Sequence, residues 1–228
     1  MPLSDLETAR YARQLVLPGF SPLAQERLRA ARVHVVGAGS LAGPAMLYLA
    51  MAGVGTVLVD DSVDVAPGDG DSWIHGAGQV GQPRTLSAIA AIQDATSLSR
   101  ARPFGTGSQP TATLVCTGTL SLAMDASERA RREGLPHVVA MPDGDGGEVV
   151  AVPLGAPCYA CGSRPGNGTP ASPGVSEALG ALAALELVQI LLGLTVGPSG
   201  RRLGLVLGRP ESRPTVRLPG CACGGGQG

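Results

Sequence analysis

Four of the five cysteines in this 228-residue chain stand as two close pairs, Cys158-Tyr159-Ala160-Cys161 and Cys221-Ala222-Cys223, while Cys116 stands apart. Thiolates are preferred ligands of structural zinc, and a two-residue gap between cysteines is zinc-knuckle spacing. The distal pair has a single intervening residue, so reduced thiols or a distorted site are the plainer alternatives; the pattern favours a metal over disulfides. A second signature is VVGAGSLAG, Val35 to Gly43, where an apolar run ends in Gly37, Gly39 and Gly43. Such a turn lets the backbone leave a strand and enter a helix tightly, and its amides usually hold nucleotide phosphates. The plainer reading is a strand-helix corner whose glycines only permit close packing. Asp60 follows Gly37 by 23 residues at the end of the next apolar run, near the usual distance for a ribose contact, and Asp61 adjoins it.

The elements that must position these groups can be read from caps, periodicity and breakers. SDLE at Ser4–Glu7 is a capping-box pattern and Ser21-Pro22 opens a second helix, making 1–31 a short helical lead-in. Arg32 to Val36 reads as the first buried strand, a helix follows the glycines up to Gly53, and Thr56 to Asp60 is the second strand. Beyond an irregular Gly/Asp-rich stretch, Ser62 to Gln82, the pattern predicts helices over Arg84–Thr96 and Leu120–Glu133. Strands are expected over Thr111–Cys116, His137–Met141 and Glu148–Val152. Arg164–Gly174 is a loop, Val175–Leu192 a long apolar helix, and Leu203–Leu207 and Thr215–Leu218 short strands, with 224–228 a flexible tail. The sum is one Rossmann-like α/β domain over 1–223: a mostly parallel sheet with helices on both faces and a C-terminal part, about 150–223, clamped by the four cysteines. His34 and His137 fall in strands and read as structural, Cys116 as a small core residue, and His75 has no assigned role.

Composition narrows the function. The net charge is −1, all 17 basic residues are arginine and none forms a dense run, so nucleic-acid binding has no electrostatic support. Only two Phe, three Tyr and one Trp are present, leaving Ala, Val and Leu to fill the core. No stretch approaches ~18 unbroken apolar residues and MPLSDLETAR lacks a basic-then-apolar leader, so a cytoplasmic protein with no membrane partner is expected.

Several segments occur in one order: RYARQLVLPGF, VVGAGSLAGPAMLYLAMAGVGTVLVDD, VGQPR, PCYACG and a cysteine pair after Pro219-Gly220. Together they closely resemble the ThiF, MoeB and HesA family, relatives of ubiquitin-activating enzymes, from about Arg10 to Cys223. The resemblance implies binding of Mg-ATP, adenylation of the C-terminal glycine of a small ubiquitin-like or sulfur-carrier protein or peptide, a dimer, and a structural zinc. Carried onto this chain, it places zinc on Cys158, Cys161, Cys221 and Cys223 and the nucleotide near Gly37, Gly39, Gly43, Asp60, Asp61 and Arg84. It also implies that Arg13 crosses a dimer interface into the neighbouring site; alone, Arg13 reads equally as a solvated arginine on a surface helix.

The chain departs from the family pattern at three places. No Asn, Arg or Lys lies between Ser62 and Pro83, where the family holds ribose and phosphates; Asp64, Asp69 and Asp71 stand there instead. An aspartate ~5 Å from a phosphate repels it by about 3 kcal/mol at an effective dielectric near 20, roughly a hundredfold in affinity. The magnesium-binding aspartate of the family corresponds to Gly118 in VCTGTL, and the crossover loop Thr169–Val175 carries no thiol. Arg84 replaces a lysine and differs from it in geometry. The leading expectation is therefore a catalytically impaired partner or carrier-protein-binding subunit, homo- or heterodimeric with a ThiF-like chain, in a sulfur-transfer or peptide-modifying pathway, with weak or absent Mg-ATP binding. An active adenylyltransferase recruiting magnesium through Asp60, Asp61 or the Asp69/Asp71 pair is the alternative, and a nucleotide- or peptide-binding module without chemistry is a third.

Overall fold

Side chains that alternate along the apolar strands feed two separate cores, one on each face of a single sheet, in a computed structural model that describes residues 2–18, 20–69, 72–163, 171–172, 174–194, 199–206 and 209–224. The strands are β1 (Arg32–Val36), β2 (Thr56–Asp60), β3 (Arg100–Pro103), β4 (Ala112–Cys116), β5 (His137–Asp143), β6 (Gly146–Val152), β7 (Arg201–Val206) and β8 (Arg209–Pro214). They form an eight-stranded sheet in the order β3-β2-β1-β4-β5-β6-β7-β8. The pairings from β3 through β5 are parallel, and β6, β7 and β8 are added antiparallel at one side. Along β5, Val138 and Ala140 enter one core while Val139 and Met141 enter the other, as a two-residue repeat requires.

The helices are α1 (Asp5–Leu15), α2 (Pro22–Ala30), α3 (Ala42–Ala52), α4 (Arg84–Ala95), α5 (Leu120–Arg132), α6 (Tyr159–Gly162) and α7 (Val175–Leu192). The larger core lies under α3, α4 and α7, and the smaller one under α5 and α6, so helices cover both faces. On α7, Gly180 permits a close crossing over α3, since a β-carbon there would stand 2.1 Å from the Leu41 carbonyl oxygen. Among the described residues α7 is also the one helix long and apolar enough to cross a membrane; here it packs against β4, β5, β6 and α3.

The lead-in helices are fastened by polar groups. The Ser4–Glu7 capping box is formed, and Arg29 reaches Glu7 at 3.1 Å. Fully buried Gln25 donates to the Ala52 carbonyl at 3.0 Å and accepts from Gln14, closing the C-terminus of α3 with side chains from α1 and α2.

Two sequence expectations are corrected. Thr215–Leu218 is not a strand; the last strand is β8, a polar segment with Pro210 and Pro214 whose register leaves it at the sheet edge, where proline is tolerated. The other edge strand, β3, was not anticipated, because Arg100-Ala101-Arg102-Pro103 has no apolar repeat and is defined only by its pairing with β2. The expected strand end at Leu207, most of the Arg164–Gly174 loop and residues 225–228 of the tail lie outside the described residues.

His137 is structural, as expected. It is 1 % exposed, its Nδ1–H donates to the Leu135 carbonyl at 3.2 Å, and its Nε2 accepts from the Ser127 hydroxyl at 2.8 Å. Burial pushes its pKa from 6.5 down to about 4. The unfolded chain therefore takes up a proton that the folded chain refuses, and stability falls as pH drops through that window. We expect a loss of roughly 3 kcal/mol between about pH 6.5 and pH 4, measured by denaturant unfolding, and a flattened profile in that window for His137→Gln.

Candidate functional site

The chain crosses from one face of the sheet to the other between β1 and β4, since β1 is followed by α3 and β4 by α5. A crevice opens at the carboxyl ends of these strands, the general ligand position in doubly wound sheets. It measures ≈ 570 Å³ and is lined by Gly37, Ser40, Asp61, Arg84, Gly118 and Arg129 among others.

The three glycines of the turn have three different reasons. Gly37 adopts φ +95°, and a β-carbon there would stand 2.2 Å from the Cys116 carbonyl oxygen of β4, so only glycine fits. Gly43 admits Trp73 and Ile74, which would approach its β-carbon to 3.3 Å. Gly39 faces nothing closer than Arg84 Nη1 at 3.8 Å, so packing does not require it. Buried His75 braces the turn from below: its Nε2–H donates to the Ala38 carbonyl at 2.6 Å, and its Nδ1 lies 2.7 Å from the Ser87 hydroxyl. The amides of Gly39, Ser40 and Leu41 have no hydrogen-bond partner among the described residues, and they precede a helix N-terminus, where an anion is favoured.

The charged groups of the cleft are largely turned on one another. Asp61 Oδ2 accepts from the Ala38 amide at 2.7 Å, and its Oδ1 from the Val63 amide at 2.8 Å. Arg84 donates through Nε and Nη2 to one oxygen of Asp69, at 3.0 and 2.6 Å. Partial burial pushes the Asp69 carboxyl up, but the Ala66 amide and Arg84 outweigh it and the net shift is downward. Asp60 pairs with His34 Nε2 at 2.9 Å and lies 3.7 Å from Arg129; the His34 hydrogen bond, aided by Arg129, holds its carboxyl below the usual range. Asp64 is exposed and outside the cleft lining, and Asp71 lies outside the described residues.

Gly118 also lines the cleft, with open space where a side chain would go. Arg13 is exposed on α1 and does not line its own chain's cleft. Cys116 is buried at the end of β4, and burial pushes its thiol up to about 12. The group that residue reading missed is Arg129: it lies on α5, far in sequence from both the glycine turn and β2, and no spacing connects it to them.

At the far side of the sheet the two cysteine pairs meet. All four sulfurs lie within 4.8 Å of one another, with Cys158–Cys161 at 3.8 Å, Cys158–Cys221 at 3.6 Å and Cys161–Cys223 at 3.7 Å. A tetrahedron with metal–sulfur bonds near 2.3 Å has edges of about 3.8 Å. The donor set therefore fits one four-coordinate metal ion, despite the single-residue gap in the distal pair. The Leu218 amide lies 3.3 Å from Cys161 Sγ, an outer hydrogen bond of the kind that orients a ligand. Buried Glu148 ties this corner to the sheet, accepting from Tyr159 of α6 at 3.3 Å and from Arg202 of β7 at 2.7 Å.

A crevice at the switch point of a mostly parallel sheet, floored by a glycine turn and joined to a four-thiol cluster, defines a Rossmann-like protein of the nucleotide-fold class. Residues 11–223 match the ThiF family. The chain is 35% identical over 248 residues to "Adenylyltransferase and sulfurtransferase MOCS3" of Bos taurus, an alignment covering 97% of this chain and 54% of that protein. It is 44% identical over 101 residues to "Probable adenylyltransferase/sulfurtransferase MoeZ" of Mycobacterium tuberculosis, covering 44% and 26% of the two chains. Among solved structures, E. coli MccB with ATP superposes with a TM-score of 0.78 at 16% identity, over 96% of this chain and 75% of that one. The chain belongs to the ThiF family, and its matches span about half the length of the MOCS3 protein and about a quarter of the MoeZ protein.

The cleft floor depends on the close approach at Gly37. Gly37→Ala combines a clash with backbone and an unfavourable φ, and we expect it to cost at least about 2 kcal/mol, read as a lowered midpoint in denaturant unfolding. Gly39→Ala, which meets only ordinary contact, should stay within about 1 kcal/mol of the parent.

Proposed function

We propose that this adenylyltransferase-like chain is a cytoplasmic, catalytically impaired partner subunit. In this reading it pairs with a ThiF-like chain, as homo- or heterodimer, and helps present a small ubiquitin-like or sulfur-carrier protein, or a peptide, for activation. The observation that carries the proposal is the self-neutralised cleft. Arg84, the group that the family resemblance assigns to a phosphate, is engaged by Asp69, and the Ala38 amide by Asp61. Gly118 stands where that resemblance puts the magnesium carboxylate. A triphosphate entering this cleft would have to displace carboxylates from its own contacts and would find no metal ligand at Gly118.

Exposed Arg13 suits a donated role, because it lies on the surface of α1 and makes no hydrogen bond or ion pair in its own chain among the described residues. The four-cysteine cluster is proposed to hold zinc, joining the C-terminal strands to the sheet. A second reading, an active adenylyltransferase, is favoured by the 35% identity to a protein of that name; magnesium would then be recruited through Asp60, Asp61 or the Asp69/Asp71 pair in place of Gly118.

Calorimetry with Mg-ATP should show weak or no binding, and the purified chain alone should not exchange pyrophosphate into ATP. Gly118→Asp has room for its side chain but should not restore exchange, since Arg84 would still be held by Asp69. Arg13→Ala should lower the turnover of a complete ThiF-like partner by tenfold or more on the scale of a lost charge-assisted contact, about 1.5–3 kcal/mol, without changing this chain's melting temperature. Robust exchange by the chain alone would establish the second reading instead.

For the thiol cluster, elemental analysis should find close to one zinc per chain. Cys161→Ser should lower zinc content and melting temperature together; a fully stable, metal-free protein would refute the assignment.

A further inference from the structure

One face of the sheet at its β3 edge carries a charge pattern that chain order conceals. Ala101 of β3 enters the larger core, where α4 packs on this strand. Arg100 and Arg102 therefore project from the opposite face, since side chains alternate along a strand. The register extends the row across two more strands: Arg32 of β1 pairs with Thr56 of β2, and Thr56 with Arg100. Arg32 lies on the same face as Arg100, because Val33 and Val35 of β1 enter the larger core. With about 4.8 Å between neighbouring strands and about 6.6 Å between alternate residues, the β-carbons of the three arginines form a triangle with sides of roughly 7 to 12 Å.

The helices of this face, α5 and α6, lie over β4, β5 and β6. Over β1 runs the segment that follows β3, in which Phe104 stacks on His34 and Gln109 accepts from Arg32 Nη2 at 3.4 Å. That contact is long, and Arg32 Nε has no partner. Arg100 and Arg102 are exposed and make no hydrogen bond or ion pair among the described residues. Elsewhere Arg29, Arg84, Arg131, Arg201 and Arg202 each meet a carboxylate. Asp60, further along β2, is answered by His34 and Arg129 at 2.9 and 3.7 Å and so bounds the patch at its upper end. Like charges held close on one sheet face repel one another and cost stability, and nothing in the described fold repays that cost.

The kind of partner follows from what surrounds the arginines. The Phe104 ring is turned onto His34, so the patch lacks a free aromatic surface on which a base could stack. Strand addition at β3 is also disfavoured. The amides of Arg100 and Phe104 point to β2, which leaves Ala101 and Pro103 facing outward, and Pro103 has no N–H to offer. Recognition therefore falls to the guanidinium groups, whose planar forks match carboxylates.

We infer that Arg32, Arg100 and Arg102 form a docking surface for an acidic segment of a partner protein. Carboxylates at alternate positions of an extended segment are about 6.6 Å apart, which matches Arg100 and Arg102, and a third carboxylate reaches Arg32. None of the three arginines lines the cleft, so the inference holds whether or not the chain adenylates.

The test is fluorescence anisotropy of a labelled peptide of alternating Glu and Thr, titrated with the purified chain. The peptide should bind below millimolar concentration and weaken at least tenfold between about 20 and about 200 mM salt, as screening of an exposed charged contact requires. Arg100→Glu/Arg102→Glu should weaken it at least tenfold, the corresponding double lysine variant should retain part of the affinity, and Arg213→Glu on β8 at the far edge of the sheet should leave it unchanged. No binding by the parent chain at millimolar concentration, or affinity that survives the double charge reversal, would overturn the inference. So would tighter binding of an oligothymidylate of equal charge, which would make this a nucleic-acid surface, or a parent dimer that the double reversal dissociates, which would make it an interface between two copies of the chain. The outcomes read on the parent chain hold even if a variant fails to fold.

Discussion

The close approach of the β1 backbone to β4 at Gly37 is the contact on which the rest of the structure depends. With a β-carbon excluded by the Cys116 carbonyl, the chain leaves β1 in a left-handed step that no other residue takes readily. The turn can then enter α3 directly, and α3 in turn lies close enough to α7 for Gly180 to sit over the Leu41 carbonyl. Two glycine contacts therefore set the depth of the cleft floor and the position of the two longest apolar helices over the larger core. His75 completes the support by engaging the Ala38 carbonyl, which leaves the following amides without an internal partner.

The cleft built on that floor differs from an open anion site in how its charges are arranged. Polar groups at a ligand site are useful in proportion to what they leave uncommitted, because a new contact must replace an existing one. Asp61 already occupies the first amide of the turn and Asp69 already occupies Arg84, both through short hydrogen bonds. Arg129 is different: its ion pair with Asp60 is long, at 3.7 Å, and its guanidinium lies over the Phe104 ring. The electrostatic character of the site thus arises from the partnership of each side chain, and a count of aspartates and arginines would miss it.

The four-thiol cluster addresses a separate problem, the antiparallel side of the sheet. β7 and β8 carry four arginines and two prolines, and they contribute little to either core. Two cysteine pairs widely separated in the chain meet there, and a metal joining them would close a long loop whose entropy otherwise opposes the native state. Glu148, paired with Arg202 and Tyr159, anchors the knuckle of α6 to β6 and β7 and couples this corner to the sheet.

Much of the fold was legible in the sequence, because apolar periodicity, the Ser4–Glu7 capping box and the Gly37 and Gly53 breaks are local signals that local geometry obeys. The cysteine spacing likewise specified which four residues would meet, since thiol pairs of that kind have few other uses. What the sequence by itself did not contain was the two polar edge strands, β3 and β8, which exist only through pairing with a neighbour. Nor did it contain the role of His75, the capture of Arg84 by Asp69, or the arrival of Arg129 beside Asp60. Each of those depends on side chains brought together from different elements, and electrostatic partnership is decided by distance in space. Chain order fixes the residue types available to the cleft, but only packing of α5 and the segment after β3 against the end of β2 determines which charges meet there.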